Sequence, residues 1–234
     1  MYVEHAVTTP DHDIDTVNNY GHALLREVTC EIGGQEIDKQ YGRWMQIWSD
    51  LTEFNPTSAV ATPTNAANGL FGETGTLFQK MSGTGKGNDV LNISSVNAAG
   101  RTYRMFVPLQ FWFNRNPGLA LPLIALQYHE VKLKIKTRNI NHLVNTDGTL
   151  TSGTVAPSVQ LWADYIYLDT DERRRFAQVS HEYLIDQLQR EHHGASKRQK
   201  LNFNHPVKEL IWVIQDNDAA SGATSTIDAT LNID

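Results

Sequence analysis

The stretch LLREVTCEIGGQEIDKQYGRWMQIWSDLTEF (24–54) changes its apolar period partway along, and that change predicts a hairpin running straight into a helix. Leu25, Val28, Cys30 and Ile32 alternate with Arg26, Thr29 and Glu31, and the phase slips once, near Glu27. A period of two marks a strand with one buried face. Gly33-Gly34 supplies the turn, because glycine takes the positive φ that tight hairpins need, and QEIDK returns as the second arm. From Gly42 the period lengthens. Trp44, Ile47, Trp48 and Leu51 fall at helical spacing, so 42–54 reads as a helix with both tryptophans on its buried side, stopped by Pro56.

Strand signals dominate elsewhere. RTYRMFVPLQFWF (101–113) is apolar on both faces, as for a strand deep in a sheet, but Pro108 cannot donate to a ladder and predicts a break there. EVKLKIKTR (130–138) alternates strictly: Val131, Leu133 and Ile135 inward, Lys132, Lys134 and Lys136 outward. That is the look of an edge strand guarded by lysines, or equally of an ordinary solvated face. VQLWADYIYLD (159–169) is a further strand, DTDERRRFAQ (169–178) a charged connection, and SHEYLIDQLQREHH (180–193) fits helix and strand equally. Residues 55–100 and 144–158 are rich in Gly, Ser, Thr and Asn and read as long loops, the first with one short helix near 75–81. VKELIWVI (207–214) is a last apolar strand that needs a wall to pack on. Many strands, few helices and long polar loops predict an all-β fold: an antiparallel β-sandwich, with the jelly roll as the variant that carries long loops at one end.

The residues offer little chemistry. SGTGKGND (82–89) is no phosphate loop, since Lys80 stands where the first glycine belongs and Gly87 where a hydroxyl would meet magnesium. His192-His193 lacks the further ligands zinc requires. His129-Glu130 and His181-Glu182 would point to opposite faces of a strand, which is poor geometry for an acid–base pair. DTDERRRF lacks the glycine and final glutamate of a calcium loop. No catalytic, cofactor-binding or metal-ligating set is expected, and the protein reads as a non-enzyme. Asn92-Ile93-Ser94 is a glycosylation triplet, making Asn92 a candidate site of modification. The net charge of −6 argues against direct nucleic-acid binding. The lone Cys30 excludes an intrachain disulfide, and GLALPLIAL (118–126) is too short to span a bilayer. A protein made inside a cell, without a membrane span, is the expectation.

Four longer blocks are more specific. GHALLREVTCEIGGQEIDKQYGRWMQIWSDLT (21–52), FVPLQFWFNRNPGLALPLIALQYHEVKLKI (106–135), YLDTDERRRFAQVSHEYLIDQLQ (167–189) and LNFNHPVKELIWVIQ (201–215) resemble, in order, the major capsid proteins of nucleocytoplasmic large double-stranded DNA viruses: the algal-virus, iridovirus and mimivirus-like group. The resemblance implies a viral double jelly roll, of which mainly the first jelly roll is present. Residues 1–204 would form that first jelly roll without its first strand, and 205–234 the opening strand of the second. Val207, Leu210, Trp212 and Ile214 would then be inter-domain or inter-subunit packing residues. It also implies a structural subunit of an icosahedral capsid, assembling as pseudo-hexameric trimers with copies of itself. Minor capsid proteins would be further partners, and assembly would take place in the host cytoplasm. Two other functions fit the same fold class. A carbohydrate-binding jelly roll would use exposed Trp112, Trp162 and Tyr167, and a cupin-type metalloenzyme would need a cluster of His and carboxylate ligands.

Overall fold

A computed structural model of the chain describes residues 1–8, 15–17, 19–53, 77–84, 102–139, 143–145, 158–192 and 198–213. Strand β1 (Tyr2–Thr8) is central in a sheet of order β5-β1-β8, with β5 at Thr102–Pro108 and β8 at Ser158–Trp162. Strand β3 (Leu25–Ile32) is central in a second sheet, between its hairpin partner β4 (Gln35–Tyr41) and β6 (Val131–Thr137). The short β2 (Asp15–Thr16) and β7 (Val144–Asn145) pair with each other. Among the described residues every strand pairing is antiparallel.

The two larger sheets share one core. Val3 and Val107 from the first sheet meet Leu25, Val28 and Cys30 from the second, with Leu109, Phe111 and Trp112 filling between them. Gly33 and Gly34 make the β3–β4 turn at φ +60° and +82°. The slip of phase near Glu27 is a β-bulge: the β3–β6 register shifts between Leu25 and Glu27, so that Leu25 and Val28 both face the core. β5 ends at Pro108, as its missing donor requires. The chain then turns through a single helical turn, α4 (Trp112–Arg115).

Helix α1 (Tyr20–Leu24) is buried at every residue, and α3 (Leu77–Ser82) closes over it. Helix α2 (Gly42–Thr52) forms where the period predicts, but with its faces exchanged. The buried positions are Gly42, Met45, Gln46 and Ser49; Trp44, Ile47 and Trp48 are half-buried, and Leu51 is 65% exposed. The reason is steric. A Cβ on Gly42 would sit 2.0 Å from the His22 carbonyl oxygen and 2.4 Å from that of Leu25. Only glycine lets the helix approach that backbone, so the small face turns inward. The aromatic face is left to pair Trp44 with Trp48 and to carry the Arg115 guanidinium 4.8 Å from the Trp48 ring centre.

Two further expectations change. DTDERRRFAQ is helical, α5 (Thr170–Gln178): Asp169 caps it by accepting from the Glu172 N–H at 2.9 Å, and Asp171 and Glu172 lie in its first turn. β8 stops at Trp162, so 163–169 is not strand. Gly42→Ala should destabilise the fold by about 1–3 kcal/mol or more, because backbone and not a movable side chain opposes the added methyl. The urea midpoint checks it, and Gly34→Ala tests turn strain alone, since its Cβ would meet nothing within 4 Å.

Candidate functional site

Among the described residues no pocket gathers a cluster of reactive groups. Among the described residues no three His, Cys, Asp or Glu side chains converge as metal ligands. Cys30 is buried on β3, and burial, with the Asp38 and Glu31 charges nearby, pushes its thiol up to about 12, so it is not a nucleophile. Trp112 is only 5% exposed and belongs to the core, which removes it from any sugar-stacking platform. Trp162 is half exposed, donates to Glu4 at 2.7 Å and stacks on Tyr2, while Tyr167 is exposed.

What the structure does build is an arm. From Ala163 onward the described chain, apart from α5, runs over the surface without joining a sheet. It is held by side chains in place of a ladder. His181 stacks on Phe176 and donates from Nε2 to its carbonyl at 2.8 Å, which turns the chain off the end of α5. Tyr183 donates to the Ala120 carbonyl at 3.3 Å, and Ile185 packs on the core. Asp186 lies between Arg115 at 3.6 Å and Lys208 at 3.3 Å. Gln187 then donates from Nε2 to the Ile37 carbonyl, and Arg190 lies 5.0 Å over the Tyr41 ring.

The firmest of these holds is Asp38. It is buried on β4, accepts the Leu188 N–H on Oδ1 at 3.0 Å and the Gln40 amide on Oδ2 at 3.1 Å. Gln40 Nε2 also donates to the Gln110 carbonyl at 2.8 Å, so one polar unit ties β4, the 110 turn and the arm together. Burial raises the Asp38 pKa; the Leu188 and Gln40 bonds and the Arg115 charge favour the ionised form and work against that rise. This explains why 180–192 forms neither helix nor strand: its hydrogen-bond partners on β4 are a carboxylate and one carbonyl. Sequence reasoning missed Asp38, although the signal was present in two polar residues, Asp38 and Gln40, at alternate buried positions of β4.

Beyond Leu188 the arm turns back on itself. Glu191 accepts the Asn202 N–H and Gln189 the Asn204 N–H, each at 3.0 Å. It then carries Val207, Leu210 and Trp212 out into solvent; Trp212 is 74% exposed. Ile214 and Asn92 lie outside the described residues. The expected strand at 207–214 is not formed over 207–213.

Two antiparallel sheets around one shared core, with an apolar arm led out from them, define an antiparallel β-sandwich protein. Known proteins agree. The sequence profile described as "Major capsid protein N-terminus" matches residues 3–169, and that described as "Large eukaryotic DNA virus major capsid protein" matches 172–232. The chain therefore belongs to the family of major capsid proteins of large eukaryotic DNA viruses. It is 49% identical over 194 residues to the major capsid protein of Pyramimonas orientalis virus, covering 82% of this chain and 43% of that one. To capsid protein 1 of Acanthamoeba polyphaga mimivirus it is 43% identical, covering 91% of this chain and 35% of the relative. A quasi-atomic model of the PBCV-1 virus capsid, whose subunit is a double jelly roll, superposes with a TM-score of 0.55 at 36% identity over 80% of this chain and 39% of that one. The chain thus spans less than half the length of these relatives. Neither the sugar-binding nor the cupin reading gains support from them.

Asp38→Ala should leave the Leu188 N–H and the Gln40 amide without their acceptor and cost about 1–3 kcal/mol. Hydrogen exchange localises the effect: the Leu188 amide should exchange at least about tenfold faster, with the Val28 amide unchanged.

Proposed function

We propose that the chain is a structural subunit of an icosahedral virus capsid, working through assembly with copies of itself as trimers and not through catalysis. The observation that carries this is family membership over nearly the whole described chain, joined to an arm that exposes large apolar side chains. In this reading residues 1–204 are the first jelly roll and 205–234 open a second, against which Val207, Leu210, Trp212 and Ile214 pack. Each large side chain left in water forgoes about 1.5–3 kcal/mol, a heavy loss against a domain stability of about 5–15 kcal/mol. That supports an arm completed by further protein. Assembly in the host cytoplasm and contacts with minor capsid proteins belong to the same reading. No helix among the described residues is long and apolar enough to cross a membrane.

The test is to express the chain extended by the reading frame that follows it. Light scattering on the purified product should give a trimer, and the amides of 207–213 should become protected from exchange relative to the 234-residue chain. A product that stays monomeric at high concentration, with 207–213 still exchanging freely, would overturn the proposal.

A further inference from the structure

Helix α1 is the point where the two sheets, α2 and α3 meet, and two buried histidines hold it from opposite sides. His5, on β1, is fully buried. Its Nδ1 lies 3.2 Å from the Ser158 carbonyl on β8, an oxygen that can only accept, so Nδ1 carries the proton. Nε2 is then the acceptor for the Tyr20 hydroxyl of α1 at 3.1 Å, with the two rings stacked at 5.7 Å. On the other side His22, within α1, donates from Nδ1 to Gln46 Oε1 of α2 at 2.6 Å, and the Gln46 amide donates on to Asp50 at 2.8 Å. The helix has no slack: its Gly21 N–H bonds to the Gly83 carbonyl at 2.9 Å, and a Cβ on Gly21 would lie 1.8 Å from the Ser82 oxygen.

We propose that His5 and His22 make α1 an acid-sensitive lock, in which proton uptake by the two rings unseats the helix and opens the sandwich at its α1–α2–α3 end. The groups around each ring support this. Around His5, α1 offers the Tyr20 hydroxyl, β8 offers Ser158 and its register neighbour Val159, and β5 offers Met105; none carries a charge. A proton on Nε2 would face a hydroxyl that is already donating to it. Around His22, α2 offers Gln46, and α3 closes over the neighbouring Gly21 with its last residue, Ser82, whose hydroxyl bonds to that of Thr84 just beyond the helix; none of these carries a charge. The nearest carboxylate on that chain of bonds, Asp50, touches the Gln46 amide and not the ring, and burial raises its own pKa, which weakens it as a counter-charge in acid. Burial lowers the His5 pKa and takes that of His22 down to about 4. A histidine whose folded pKa lies below its unfolded value, about 6.5, contributes stability above pH 6.5. That stability is lost as the pH falls, for His22 down to about 4. The opening constant should rise by up to about tenfold per pH unit for each histidine.

The experiment compares the wild-type chain with His5→Gln/His22→Gln, which keeps polar side chains at both places but cannot charge. Urea unfolding from pH 7.5 to 4.5 should show the wild type losing stability more steeply, by up to about a hundredfold in the unfolding constant per pH unit where both rings titrate. In the wild type the Ala23 amide, bonded to Asn19, should lose exchange protection at a higher pH than Val28 of the central strand. Equal pH slopes for the two proteins would overturn the lock, and simultaneous loss at Ala23 and Val28 would overturn local opening. If the double variant does not fold at pH 7.5, the imidazole nitrogen resonances of the wild type decide. Both rings still neutral at pH 6 support the lock, and either titrating at its ordinary value overturns it.

Discussion

Everything in this molecule depends on how closely backbone can approach backbone around α1. Gly42 brings α2 against the carbonyls of His22 and Leu25, and Gly21 brings α1 against the Ser82 carbonyl. These contacts leave no room for a side chain, so they fix where α1 sits, and α1 fixes how the β3 sheet and the β1 sheet come together. Met45, on the inward face of α2, joins the same apolar cluster as Val3 and Val28 because the helix lies that close. A looser junction would part the two faces that the core fills at native density.

Period and turn chemistry carried most of the architecture. The β3–β4 hairpin, its Gly33-Gly34 turn, the bulge by Glu27, the break after Pro108, the short α3 and the lysine-bearing β6 were all legible, because each follows from a local rule about dihedral angles or alternation. What the sequence hid depends on contacts far apart in the chain. The apolar stripe of α2 predicted the wrong buried face, since periodicity detects apolar side chains and cannot see a glycine chosen for close approach. The arm from Ser180 to Arg190 was ambiguous because its order comes from Asp38, 150 residues away along the chain from Leu188. Helix α5 is the exception, since its signal is local: Asp169 stands in the place of a cap, three residues before Glu172. The resemblance across four long blocks, and not any short motif, pointed to the family. None of those blocks pointed to His5, Tyr20 or Asp38.

The same division runs through function. Strands and core make a rigid slab, and the side-chain holds along 183–190 lead the chain away from it at a set place. An arm fastened by Asp38, Gln187 and Arg190 can leave the sheet without unravelling β4, which a continuous ladder would not allow so readily. That is a useful property where one folded unit must be joined to another.

Each outward lysine of β6 has a glutamate partner: Lys136 meets its register partner Glu27, Lys134 reaches diagonally to Glu31, and Lys132 meets Glu130 just before its own strand. Such exposed pairs add little stability, roughly 0–1 kcal/mol each. Their consequence is felt instead between molecules. A strip whose positive and negative ends cancel at close range projects almost no long-range field, so this edge itself adds little to the repulsion between copies of a chain whose net charge is −6. The bulky ammonium groups still obstruct stray strand addition, which gives the surface tolerance of high density without stickiness.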